Sequence, residues 1–266
     1  MSNKYNNPSF SYFDWDENSQ KTGGLLKDLS DSNFKSRLWC HASPYETEFS
    51  GDTFYGITKE PCTLTTKEGE YDLDAEMYFQ ATGDVILRGG KAVLVERVGY
   101  KGWLHIGGPC ESQGRLKYID GCTDSLLIPP TRWGDPCFNL LHFPSNIDQT
   151  YHTHPSDRVG LVLRGEGECK TPFGNIPLYE GMIFIIHYWV EGHGEAMGND
   201  GKMHPVGTHA FRTEEGKFMD VIAYHPDSDF GPQDEEHPML NRTIVDGVSA
   251  KNVDSIRTTD EQMKQQ

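Results

Sequence analysis

The stretch Gln149-Thr150-Tyr151-His152-Thr153-His154-Pro155-Ser156-Asp157-Arg158-Val159-Gly160-Leu161-Val162-Leu163-Arg164-Gly165 decides how this chain is read. It sets two histidines two residues apart, then a turn, then an apolar run that ends in glycine. Residues i and i+2 of a β-strand point to one face. On a strand, His152 and His154 therefore aim two imidazoles at one point, as a bound transition metal requires. The plainer reading is a pair of surface histidines in a polar turn. The metal reading is stronger, because the rest of the chain supplies a matching half.

Working outward, the texture from about residue 35 is that of a β protein. Short β-branched and aromatic runs alternate with Gly, Pro, Asn and Asp punctuation. Such runs are Met77-Tyr78-Phe79, Val85 to Arg88, Ala92 to Val95, Phe138 to Leu141, Leu161 to Leu163, Met182 to Ile186 and Phe218 to Tyr224. Turns such as Thr82-Gly83-Asp84 and Gly165-Glu166-Gly167 separate them. Many short strands at close spacing predict an antiparallel sandwich or barrel. The chain has 266 residues, with 28 glycines and 15 prolines, which suits a turn-rich fold better than a helical bundle.

Two stretches resemble one another: Ala75 to Gly90, and His152 to Gly167 continued by Pro177 to Phe184. This predicts two related β-units, residues 35–118 and 119–226, of which only the second carries the paired histidines. Residues 1–34 read as an arm, partly ordered at best, in which Leu25, Leu26 and Leu29 suggest a short helix. Residues 227–266 read as an extension lying over the body, with a polar tail from about Arg257.

The net charge of −16 argues against binding nucleic acid or an anionic membrane through the overall field. Six cysteines without a Cys-x-x-Cys pair read as reduced thiols rather than a zinc ribbon. The first thirty residues have no apolar core for a signal peptide, and no run of about 18 apolar residues exists. A cytoplasmic location is the expectation.

With these residues in place, the sequence resembles the cupin superfamily. That family's first motif is His-x-His, a Glu a few residues on, six more residues and a Gly. His152, His154 and Gly165 match it, but the Glu position falls on Arg158, with Asp157 one residue out of register. In the second motif a Gly opens an apolar strand, and a Pro-x-Gly element precedes a His. Gly181 opens Met182 to Ile186, and Pro205-Val206-Gly207-Thr208-His209 comes after an insertion of about fifteen residues. The resemblance implies all-β cupin barrels (double-stranded β-helices) with a metal inside one end. His152, His154 and His209 would be its ligands. Iron(II) is the first candidate, and imidazole ligation also suits Zn, Ni, Cu or Mn.

Arg158 replaces an anionic ligand with a fixed cation. Three neutral ligands, as in cysteine dioxygenase-type cupins, leave the metal's charge for an anionic substrate, and an Arg fork suits a carboxylate, sulfinate or phosphonate. A salt bridge from Arg158 to Asp157 or another acid is the equal alternative. The insertion, with His187, Tyr188, Trp189, Glu191, His193 and His204, reads as a glycine-rich lid. His193 could replace His209 as third ligand or act as an acid/base group. His142, His225 and His237 read as structural.

The resemblance thus implies an iron(II) oxygenase that joins O2 to a small anionic, amino-acid-like or thiol substrate. A non-redox isomerase, lyase or decarboxylase is the first alternative, and a non-catalytic ligand-binding bicupin the second. Pairing of two copies through their sheets is an expectation by analogy.

Overall fold

The computed structural model describes residues 7–14, 24–228, 243–256 and 259–263. Strand β1 (Phe10–Asp14) lies in the arm. The first half of the chain then forms β2 (Gly24–Leu29), β3 (Ser36–Ala42), β4 (Glu46–Phe49), β5 (Thr53–Glu60), β6 (Cys62–Thr66), β7 (Gly69–Leu73), β8 (Tyr78–Thr82), β9 (Val85–Arg88), β10 (Lys91–Arg97) and β11 (His105–Gly107). The second half forms β12 (Leu116–Lys117), β13 (Thr123–Ile128), β14 (Cys137–Phe143), β15 (Arg158–Lys170), β16 (Ile176–Tyr179), β17 (Met182–Ile186), β18 (Glu195–Met197), β19 (Met203–Pro205), β20 (Ala210–Arg212) and β21 (Met219–His225).

The two halves repeat one pairing order. A six-stranded sheet runs β11-β8-β5-β10-β3-β2, and a nine-stranded sheet runs β1-β17-β15-β21-β14-β13-β12, with β16 and β20 on β15. A four-stranded sheet, β4-β9-β6-β7, closes the first half. In each half a glycine stands opposite a phenylalanine, Gly56 against Phe79 and Gly160 against Phe184. A Cβ on either glycine would overlap the facing ring, so the ring lies over the bare backbone.

Period-two alternation explains why the central strands are apolar throughout. Along β10, Val93 and Val95 enter one core while Ala92 and Leu94 enter another. Along β17, Ile183 and Ile185 share the first core, and Met182, Phe184 and Ile186 enter a third. The first core joins residues of both halves, such as Tyr55 with Phe138 and Tyr224. The other two fill the interiors of the first and second barrels. Residues 1–129 and 136–227 accordingly form one compact unit.

Residues 130–135 with 228–266 form a separate unit. It contains a hairpin of β22 (Ile244–Val245) and β23 (Val248–Ser249), two single turns of 3-10 helix and α1 (Asp260–Met263). His237, Phe230 to Arg242 and Arg257 lie outside the described residues.

The arm departs from expectation in two ways. Leu25, Leu26 and Leu29 lie on strand β2, paired with β3, because β3 offers an open edge that a lone short helix could not fill. Strand β1 is an ordered edge strand on β17, with Phe10 buried and stacked on Phe184 at 5.3 Å. Among the described residues no helix is long and apolar enough to cross a membrane.

Candidate metal centre

The site is built on a two-residue bridge. His152 and His209 exchange backbone hydrogen bonds, each N–H donating to the other's carbonyl at 3.0 Å. Directly opposed residues of such a pair put their side chains on one face, and the two rings stand 4.4 Å apart. His154 follows two residues on, 5.0 and 5.1 Å from those rings. One ligand nitrogen from each of the three lies within 4.8 Å of the others.

His152 and His154 do not sit on a regular strand. His152 makes a single bridge, and His154 lies in the loop before β15. Pro155 and the bend it opens interrupt the ladder there. The His154 carbonyl accepts the Trp189 N–H at 2.9 Å, so the insertion fixes this loop from outside.

Two of the rings are oriented by backbone carbonyls. His152 Nδ1 donates to Thr150 O and His209 Nδ1 to Gly207 O, both at 2.8 Å. A proton held on Nδ1 leaves the Nε2 lone pair for a metal. Gly207 is itself held by Ser9, whose Oγ accepts its N–H at 2.9 Å. His209 is buried, and its pKa is pushed down to about 3, by burial first and then by the neighbouring His152. His154 is lowered as well, by burial and then by the Arg158 charge. Neutral imidazoles are what ligation needs.

These residues open on a cavity of about 30 Å³. Its wall is apolar on the barrel side, from Leu141, Phe143, Phe184, Ile186 and Val221, and polar at Tyr118, Gln149, Arg158 and His225. Gln149 is committed internally, accepting the Phe211 N–H at 3.2 Å.

No family model and no curated protein matches the sequence. Solved structures do match by shape. A cupin 2 conserved barrel domain protein from Leptotrichia buccalis is similar at TM-score 0.50 and 11% identity, over 76% of this chain and 86% of that one. The fold is that of the cupins. Protein Ylba from E. coli is similar at TM-score 0.56 and 14% identity, over 87% of this chain and 95% of that one. Salicylate 1,2-dioxygenase from Pseudoaminobacter salicylatoxidans, solved with gentisate, is similar at TM-score 0.56 and 7% identity, over 81% and 80%.

Arg158, which the motif spacing sets at the acidic-ligand position, lines the cavity. Its partner acid is Asp227: Nη1 donates to Asp227 Oδ1 at 2.6 Å and also to Ser156 Oγ. Asp157 is neither that partner nor a ligand. It accepts the Tyr188 N–H at 3.1 Å and faces His187 Nδ1 at 3.5 Å. His187 in turn meets Ser11 Oγ at 2.9 Å, so it ties the insertion to β1.

His193 lies away from the cluster and the cavity. It is exposed and packs on Tyr188, with ring centroids 4.4 Å apart. Neither role read for it, third ligand or acid/base group, fits that position. The insertion is a short hairpin, β18 on β19, rather than an unstructured loop. His142 bonds Asp220 at 2.6 Å, away from the site. His225, read as structural, instead lines the cavity at 6.4 Å from His154.

Proposed function

We propose that the chain is a mononuclear metal-dependent cupin enzyme, and that it is an iron(II) oxygenase acting on a small anionic molecule. The observation that carries the reading is the convergence of His152, His154 and His209, two of them with Nδ1 tied to carbonyls so that Nε2 faces inward. Three imidazole nitrogens without a carboxylate fit a divalent transition metal, with iron(II) first and Zn, Ni, Cu or Mn also suited. When bound, such a metal supplies a Lewis acid and, as iron(II), an electron donor to dioxygen.

The chain's own residues do the rest. His152, His154 and His209 would hold the metal, and the cavity they open on would receive the substrate. The apolar barrel wall keeps water out and strengthens charge interactions inside. Arg158 places one cation at the cavity, and its Asp227 partner holds the guanidinium in position. The cavity, at about 30 Å³, is small and admits only one end of a substrate. A dioxygenase among the fold's relatives is a precedent for oxygen chemistry on this scaffold.

Elemental analysis after reconstitution, followed by oxygen uptake with small thiols, amino acids and carboxylic acids, tests the reading. One metal per chain in the wild type and none in His152→Ala or His209→Ala is the expected result. Stoichiometric metal in His152→Ala sinks the site. Metal without oxygen uptake over the whole panel sinks the oxygenase and leaves Lewis-acid chemistry.

A further inference from the structure

We infer that His225 and the Nε–Nη2 edge of Arg158 form a carboxylate subsite in the cavity wall, so that the substrate is a small organic acid held by its carboxylate. The inference rests on the metal-centre reading and names the group by which that site recognises its substrate.

The first observation is an empty guanidinium edge. Arg158 spends Nη1 on Asp227 and Ser156. Its Nε is buried without an acceptor, and Nη2 makes no hydrogen bond among the described residues. Nε and Nη2 share one edge of the planar group. This chain shows twice what that edge binds. Arg115 puts both donors on Glu111 at 2.8 Å, and Arg132 puts both on Asp135 at 3.0 and 3.2 Å. A buried N–H left without an acceptor is costly, and two carboxylate oxygens would satisfy the whole edge.

The second observation is His225. Val159 pairs with Tyr224, so one step along the same register Arg158 and His225 stand side by side at the ends of β15 and β21. The imidazole lines the cavity, and its ring nitrogens make no hydrogen bond among the described residues. It is not one of the three clustered ligands. A ring N–H there adds a third donor beside the guanidinium edge.

The geometry of the edge selects the anion. Asp227 holds the guanidinium through Nη1, so what the subsite offers is two parallel N–H donors with a ring N–H beside them. A planar carboxylate with two oxygens matches that edge, as Glu111 and Asp135 do elsewhere in the chain. A neutral ligand with one acceptor would leave the fork half filled.

The test uses the full chain loaded with Co(II), titrated with acetate and separately with azide, and read by the visible cobalt spectrum. Arg158→Lys keeps a cation for Asp227 but loses the planar edge, and His225→Gln keeps a polar side chain of similar size. Each is expected to weaken acetate by about tenfold or more, with cobalt stoichiometry and azide affinity unchanged. Circular dichroism reports that the variants fold, and either variant alone suffices. Unchanged acetate affinity in a folded variant overturns the subsite, as does an equal loss for azide. A wild type that takes up no cobalt sinks the metal-centre reading instead. In that case line broadening of 13C-labelled acetate by the metal-free chain decides the subsite. Broadening lost in the variants supports it, and broadening retained or absent from the start refutes it.

Discussion

Gly207→Ala isolates the support beneath His209. Gly207 has φ +90°, a conformation that costs a residue with a side chain about 1–2 kcal/mol. A Cβ there would also approach the His187 carbonyl oxygen closer than 3.0 Å, and that oxygen is backbone that cannot swing aside. Either the 207 or the 187 segment must shift. Both are pinned by the same residue, since the Gly207 N–H bonds Ser9 Oγ and the His187 N–H bonds Ser9 O. Strain and overpacking together come to about 2–3 kcal/mol, or roughly 4–12 °C in Tm for a chain of this size. The Gly207 carbonyl moves with the backbone, and His209 Nδ1 loses the acceptor that orients it. Removing such an outer partner typically weakens a metal site about 10–100-fold. Competition with a coloured chelator measures the affinity, and calorimetry the Tm. Gly192→Ala is the control: it shares a φ of +83° but meets nothing within 4 Å. It should lose about 1 kcal/mol and leave metal affinity alone. If Gly207→Ala binds metal within about twofold of wild type, the carbonyl support has been misread.

Three further outcomes follow from the same packing. Phe10→Ala removes a fully buried ring stacked on Phe184 and should cost about 3–5 kcal/mol in urea unfolding; a loss below about 1 kcal/mol would mean that β1 does not hold the barrel. None of the six cysteines is in a disulfide and all are buried, and burial pushes Cys62 and Cys122 up to about 11 and Cys110 to about 12. Ellman titration at neutral pH should therefore find no fast thiol in the native chain and all six after denaturation, and a fast native thiol contradicts the packing. His41 is buried with Nδ1 unpartnered, and burial lowers its pKa. The unfolded chain then takes up that proton more readily. Stability is full above about pH 6.5 and is lost as pH falls below it, by at most about 1.4 kcal/mol per unit for this group. His41→Leu should flatten the metal-free protein's urea-midpoint profile between neutral and mildly acidic pH, and an unchanged slope refutes the assignment.

The strands were legible where both faces are buried. Ala92 to Val95, within β10, and Met182–Ile186 stand where their apolar runs lie, because two cores take alternate residues and leave an unbroken hydrophobic signal. The arm was not legible. Strand β1 reads Phe-Ser-Tyr-Phe-Asp, and what makes it a strand is the open edge of β17 more than 160 residues away. The paired histidines do cluster with His209, but through another local structure than the one read: a loop and one bridge bring them together, not a strand face. Spacing showed that Arg158 stands where an acid is expected. It could not show that the compensating acid is Asp227, which only the ends of β15 and β21 bring near. For the same reason His225 carried no local mark of a cavity residue.

The repeated strand order also explains why one barrel holds the histidines. In the second half, Asp148 pairs with Arg212 and, a few residues on, His152 with His209. In the first half, β4 and β9 pair Glu46 with Arg88 and, three residues on, Phe49 with Val85. The charged pair lies at the same end of each ladder; Phe49 and Val85 lie three residues from it in the first half, and His152 and His209 lie four and three residues from it in the second. Phe49 and Val85 are buried at 2% and 0% exposure, inside an apolar core with Phe54, Leu64 and Leu87. A phenylalanine and a valine there fill the barrel and stabilise it by apolar burial. The second barrel gives up that filling. It keeps a small cavity, three imidazoles held neutral or oriented by carbonyls, and an arginine with an open edge. Local choices that weaken packing and recur on one wall of one cavity are what a site looks like when the fold around it is otherwise consistent. The first barrel, by this contrast, is the scaffold against which the second can be left incomplete.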